Sequence, residues 1–224
     1  MSGYSRFGLF YLPSHGALAA FGAAWLGWDV DIGSFCRQPD VTAIHDITAT
    51  PRKYGFHGTL KAPFRLSDGQ TLPALQKAVA ALASDLPPVT LEGLALTDLA
   101  GFLALVPRGD TAALGALAGR VVTQLDRFRA PAGDAELARR RGAGLSPVQE
   151  AHLLDWGYPY VLGEFRFHMT LTGQLTQAQM PGARAALERL LPPLPAPFVL
   201  DQIALVGERA DGFFETIHRY ALTR

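Results

Sequence analysis

Phe56-His57-Gly58-Thr59-Leu60 returns further along the chain as Phe167-His168-Met169-Thr170-Leu171. In a β-strand alternate side chains face the same way, so a His and the Thr two places on project together. His57 and Thr59 are therefore expected on one face, with Phe56 and Leu60 turned into a core on the other. The second copy sorts identically, His168 and Thr170 against Phe167, Met169 and Leu171. A bare His-x-Thr pair is weak evidence in a chain with six histidines. The weight falls on what surrounds it.

Both copies lead into the same downstream pattern. After the first, Leu72, Leu75, Val79 and Leu82 recur at helical spacing until Leu86-Pro87-Pro88. After the second, Thr176 with Gln179 reads as a capping box, and Met180, Leu187 and Leu190 follow before Leu191-Pro192-Pro193. Next, the alternating run Leu91 to Leu96 is answered by Leu200 to Leu205. Gly101-Phe102 then opens one final strand and Gly212-Phe213 the other, at equal distances from His57 and His168. The pattern predicts two β-α-β-β units.

At 224 residues the chain can bury a full core, and an apolar fraction of 49% is ordinary for a globular protein. Lys plus Arg equals Asp plus Glu at 20 each, so no global field favours nucleic acid or an acidic membrane. A small phosphate ester in a locally basic groove fits better than RNA. Cys36 is the single cysteine, which excludes an intramolecular disulfide and a thiolate metal cluster and agrees with a cytoplasmic protein. Phe7 to Trp28 has no charged residue, yet Pro13-Ser14-His15-Gly16 divides it into a strand (Arg6 to Leu12) and a helix (Ala17 to about Leu26) rather than a membrane span.

The expected organisation is one bilobed domain over 1–224. A first lobe covers about 1–107, with a loop at 31–52; a connector covers about 108–163; a second lobe covers about 164–224. In the connector, Leu114, Leu117, Val121, Leu125 and Phe128 predict an amphipathic helix. Ser146-Pro147-Val148-Gln149 predicts the cap of a short helix ending before Gly157. The two His-Thr strands should lie side by side in an α+β fold whose antiparallel sheets form a central groove, helices outside.

Opening a cyclic phosphodiester requires a base to take a proton from water and an acid to protonate the departing alkoxide. Imidazole suits both roles, since its unperturbed pKa lies near neutrality. Histidines on neighbouring strands, about 5 Å apart, can flank one phosphorus atom. Threonine hydroxyls can donate to the non-bridging oxygens. His57, Thr59, His168 and Thr170 are accordingly the candidate catalytic residues. A two-His metal site would recruit a carboxylate or a third His, and neither strand carries one on that face; no metal and no cofactor is expected. Strand parity adds Lys61 and Arg166 as candidate phosphate ligands, the alternative being solvated rim charges. The arginine run around Arg139, Arg140 and Arg141 reads either as a clamp for a second phosphate, with Arg140 central, or as a solvated helix face. Tyr158 and Tyr160 are candidates to stack a base or sugar, whereas Tyr54 shares Phe56's parity and is expected to pack.

The paired Phe-His-x-Thr-Leu motifs in β-α-β-β repeats resemble the two-histidine (2H) phosphoesterase superfamily. Within it, Tyr54 to Phe64, Phe128-Arg129-Ala130-Pro131, Trp156-Gly157-Tyr158-Pro159-Tyr160-Val161 and Phe165 to Thr172 resemble an uncharacterised bacterial family, DUF1045, often encoded beside phosphonate-utilisation genes. The superfamily resemblance implies metal-free cleavage of 2',3'-cyclic or related cyclic phosphates by His57, Thr59, His168 and Thr170. The narrower resemblance implies a phosphorylated sugar, such as a ribose cyclic phosphate. Two other readings share the groove: a non-catalytic nucleotide- or RNA-binding module, and a ligase-like enzyme of RNA ends.

Overall fold

The computed structural model describes residues 3–142 and 144–224. The apolar N-terminal stretch forms strand β1 (Phe7–Tyr11) and helix α1 (Ala17–Leu26), divided at Pro13 to Gly16 as the sequence predicts. Helix α1 ends on Gly27 in the left-handed conformation, its N–H donating to the Ala23 carbonyl. The span expected to be a loop is more ordered. It holds short strands β2 (Trp28–Asp29) and β3 (Ser34–Phe35) and single-turn helices α2 (Ile44–Ile47) and α3 (Ala49–Arg52). What orders it is the buried Arg52 guanidinium, which donates to the carbonyls of Leu26 and His45 and to the Thr48 hydroxyl. Those partners are scattered in sequence, so no periodicity betrays them.

The first repeat is β4 (Gly58–Phe64), α4 (Leu72–Ser84), β5 (Val89–Leu91), β6 (Gly93–Asp98) and β7 (Leu103–Arg108). Thr71 caps α4, accepting from the Ala74 N–H. The connector carries α5 (Ala112–Gln124), α6 (Asp134–Arg141) and α7 (Pro147–Trp156). Helix α7 has the expected start and stop: the Ser146–Gln149 capping box, Pro147 at the first helical position, and Gly157 in the left-handed region. The second repeat is β8 (Met169–Thr170), α8 (Met180–Leu190), β9 (Phe198–Leu200), β10 (Gln202–Glu208) and β11 (Phe214–Ala221). Thr176 and Gln179 exchange the capping-box bonds, but they close a turn just ahead of α8 rather than its first turn.

A seven-stranded sheet runs in the order β11-β10-β1-β4-β8-β7-β6, with every neighbouring pair antiparallel. The two motif strands, β4 and β8, are neighbours at its centre. The sheet is not divided at the connector, as two sequence-contiguous lobes would require. The β6–β7 hairpin of the first repeat extends the sheet beyond β8, and the β10–β11 hairpin of the second pairs with β1 beyond β4. The remaining repeat strands, β5 and β9, pair with each other, Thr90 facing Val199. The repeats thus exchange hairpins across a pseudo-two-fold axis.

One face of the sheet carries the main core. Leu9, Leu60, Leu105, Met169 and Leu205 pack there with Leu75 and Val79 of α4, Leu117 and Val121 of α5, and Leu187 of α8. Each such side chain contributes about 1.5–3 kcal/mol by leaving water. Successive residues of β1 alternate: Leu9 belongs to this core, whereas Phe10 joins Trp28, Val206 and Phe214 in a smaller cluster on the opposite face. That opposite face carries the groove.

Candidate active site

The motifs meet at their middle residues, Gly58 facing Met169 in the antiparallel β4–β8 pair. By that register His57 stands across from Thr170, and Thr59 across from His168. Each histidine therefore has the other repeat's threonine opposite it. Phe56, Leu60, Phe167, Met169 and Leu171 are buried, while both histidines and both threonines are half-buried, so the faces sort as the alternation predicts. A Cβ on Gly58 would run into the Phe167 ring, so a side chain at the first motif's counterpart of Met169 would require that ring to move.

Both imidazoles are fixed in the same manner. The His57 Nδ1–H donates to the Gly55 carbonyl at 2.9 Å, and the His168 Nδ1–H donates to the Arg166 carbonyl at 2.8 Å. Each ring thus holds the carbonyl two residues upstream, which assigns the proton to Nδ1 and leaves Nε2 as the acting atom. His57 Nε2 accepts from the Thr59 hydroxyl at 3.0 Å. The Phe10 ring is stacked on His57, centroids 4.0 Å apart and planes 27° apart. Burial against such neighbours disfavours the charged ring and lowers the His57 pKa to about 4; the Gly55 carbonyl opposes this, and the charge of His168 adds to it. His168 has Phe102 as its aromatic neighbour, at 5.7 Å.

His57, Thr59 and Thr170 line a cavity of about 420 Å³ that also takes in Phe10, Tyr54, Tyr158, Arg6, Arg139 and Arg140. His168 lines an adjoining cavity of about 610 Å³ with Tyr160, Phe165 and Arg166. Thr59, Ala62, Phe102 and Tyr158 belong to both walls. The histidines thus open onto two compartments that share a boundary. No acidic residue lines the first compartment, whereas three arginines do, so a neutral chain has a locally positive groove. Among the described residues, no cluster of three His, Cys, Asp or Glu could hold a metal ion.

Lys61 corrects the parity argument. Thr59 pairs with Phe10 but Lys61 with Leu9, two steps along β4 for one along β1. This bulge turns the Lys61 side chain to Leu9's side of the sheet. Its ammonium is buried there, donating to the Val122 carbonyl and to Asp126, each at 3.1 Å. Burial lowers the Lys61 pKa, and Asp126 opposes the shift. Lys61 is a structural cation under the sheet rather than a groove ligand; past the bulge it is Ala62 that faces the groove.

Arg166 is exposed, with Nη1 donating to the carbonyls of Gly163 and Phe165, and lies at the His168 compartment together with Tyr160, which is 42% exposed. Arg140 reaches the His57 compartment, as the clamp reading expects. Tyr54 packs as expected, but against the small groove-side cluster rather than beside Phe56: it stacks on Phe214 at 5.0 Å and also lines the groove. Strand parity fails at Tyr54 because the strand begins only at Gly58. Phe10 and Arg6 lie in a uniformly apolar or flanking stretch, where nothing distinguishes groove from core. Gln174, Thr50 and Thr172 complete the floor and carry no sequence signal either.

Comparison with known proteins adds the following. The family model described as "Protein of unknown function (DUF1045)" matches residues 59–215, starting inside the first motif. A protein of Janthinobacterium sp. (strain Marseille) named ribose 1,5-bisphosphate phosphokinase PhnN is 39% identical over 180 residues, 78% of this chain and 40% of that protein. Its namesake in Laribacter hongkongensis (strain HLHK9) is 36% identical over 74% of this chain and 39% of its own. The chain thus spans about two fifths of the relatives it matches. None of its lysines follows a glycine, so the Gly-Lys of a phosphate-cradling P-loop is absent from it. Among solved structures, E. coli LigT complexed with 3'-AMP is 15% identical with a TM-score of 0.46 over 99% of both chains. TT0787 of Thermus thermophilus is 15% identical, also at 0.46, over 97% of both. The family match over residues 59–215 places this chain in the DUF1045 family.

Proposed function

We propose that the chain is a phosphoric diester hydrolase that opens a small cyclic phosphate ester, with His57 as general base and His168 as general acid. The observation that carries this reading is the matched anchoring of the two rings on Gly55 and Arg166, which holds a proton on each Nδ1 and leaves Nε2 as the acting atom, that of His57 exchanging its Thr59 hydrogen bond for water when substrate enters. Burial keeps His57 neutral at pH 7, the state a base requires. Its Nε2 takes a proton from water as the water oxygen bonds to phosphorus. The bond from phosphorus to one ester oxygen of the ring breaks, and His168 protonates that oxygen as it leaves. Thr59 and Thr170 donate to the non-bridging oxygens, whose charge rises in the transition state. Turnover leaves His57 protonated and His168 neutral, and exchange with water restores both. No step calls for a metal.

Two features favour a pentose phosphate over RNA. The His57 compartment has the volume of a small-ligand site, and the curated relatives are named for a phosphorylated ribose. A reducing cytoplasmic setting fits the lone Cys36.

The test is a hydrolysis screen of nucleoside 2',3'-cyclic phosphates and ribose 1,2-cyclic phosphates. Wild-type protein should turn over at least one of them in the presence of a chelator. His57→Ala and His168→Ala should each lose about 10²–10⁴-fold in kcat. Undiminished turnover in either variant rejects the assignment, and binding without product favours the non-catalytic module.

A further inference from the structure

We infer that the groove contains a second anion subsite, formed by Arg139 and Arg140 of α6 with Tyr158, and that it receives a terminal phosphomonoester carried by the same substrate. This rests on the reading of the His57–His168 centre as a phosphodiesterase site and names the class of its substrate: a cyclic phosphate of a pentose that bears another phosphate.

The charges around the groove are unequally satisfied. Arg6 is clamped by Glu208 through Nε and Nη2 and is locally neutralised. Arg140 shares Glu136, at 3.3 Å, with Arg65. Its guanidinium carbon sits 4.8 Å from the Tyr158 ring centroid, which fixes the plane of the group. Yet Arg140 Nε is buried with no hydrogen-bond partner among the described residues. An unpaired buried donor costs about 1–3 kcal/mol, and folded proteins seldom keep one without use. Arg139 has no acidic partner among the described residues and lines the same wall.

Both side chains face the compartment that holds His57, Thr59 and Thr170, whose lining carries no carboxylate, Glu136 reaching Arg140 from the neighbouring cavity. A phosphomonoester supplies the countercharge that Arg139 lacks and that Arg140 shares with Arg65, with close to two negative charges and three acceptor oxygens. Arginine's fork suits it better than a single carboxylate would. The compartment, about 420 Å³, accommodates a sugar with two phosphates, not an oligonucleotide.

The experiment compares two substrate pairs, each with and without the extra group: nucleoside 2',3'-cyclic phosphates with and without a 5'-phosphate, and ribose 1,2-cyclic phosphate with and without a 5-phosphate. Wild-type kcat/KM should favour the phosphorylated member of at least one pair by 10-fold or more. Arg139→Gln and Arg140→Gln should each shrink that ratio several-fold, and Arg140→Lys should restore part of it. Equal kcat/KM within both pairs, or a ratio unmoved by either Gln variant, overturns the subsite.

Calorimetric binding of ribose 5-phosphate to the inactive His57→Ala/His168→Ala protein reads the same subsite without turnover. Adding Arg140→Gln should weaken it about 10-fold, and an unchanged affinity overturns the inference. If no cyclic phosphate is turned over but arginine-dependent binding remains, the hydrolase reading falls and the subsite stands. Turnover indifferent to the extra phosphate does the reverse.

Discussion

The Phe10 ring lies stacked on the His57 imidazole, 4.0 Å between centroids, and the same strand residue belongs to the small cluster built on Trp28 and Phe214. A residue that looks like core filling thereby covers one face of the proposed base, whose burial lowers its pKa.

Replacing Phe10 by Ala should admit water to the ring face and raise the His57 pKa from about 4 toward 6.5. Proton NMR titration of the imidazole reads this directly. The acid limb of kcat/KM should move upward with it. An unmoved titration in a folded Phe10→Ala protein would show that Phe10 is not what shields the ring.

Linkage ties the same shift to stability. His57 in the native state stays neutral down to about pH 4, whereas the unfolded side chain takes its proton near 6.5. In that interval the unfolded state binds more protons. Stability should be intact above pH 6.5 and fall as the pH drops to 4, by on the order of 2 kcal/mol. Urea midpoints at pH 7 and 4.5 check it, and His57→Gln should flatten the difference.

Beneath the sheet, Lys61 and Asp126 are coupled. Asp126→Ala leaves the buried ammonium with only the Val122 carbonyl, and should cost about 3–5 kcal/mol in chemical denaturation. The double change Lys61→Met with Asp126→Leu removes the buried ammonium and should recover part of that loss, the remainder reflecting Arg129, which Asp126 also holds at 2.7 and 3.0 Å. If the double variant is as unstable as the single one, burial of an unpaired charge is not the cause.

Gly58 and Phe167 touch across the two motifs. Gly58→Val should overpack that contact and lower stability by about 1–3 kcal/mol. Combining it with Phe167→Ala should cost less than the sum of the two single changes. Thermal melts of the four proteins measure the coupling.

Where the chain obeys a simple period, its fold can be read. The 3.6-residue repeat of Leu72, Leu75, Val79 and Leu82 gives α4, and Ser146 with Gln149 marks the start of α7. The alternation in both motifs places His57, Thr59, His168 and Thr170 on one face. The misreadings arise where a local irregularity resets the period. The bulge after Thr59 reverses Lys61, and the turn ahead of Gly58 frees Tyr54 from strand parity. Phe10 sits in the buried run Phe7 to Tyr11, where both faces are apolar and only tertiary packing tells them apart. The hairpin exchange is hidden as well, because the spacing of repeats records what each unit contains and not which neighbour it joins.

That exchange bears on how the molecule comes to exist at all. A ribosome releasing the first half produces a hairpin, β6–β7, whose partner strand has yet to be synthesised. Neither half can close its own sheet, so a scission at the connector should yield two fragments that regain order only when mixed. Assembly must wait for contacts between remote stretches, which slows the search.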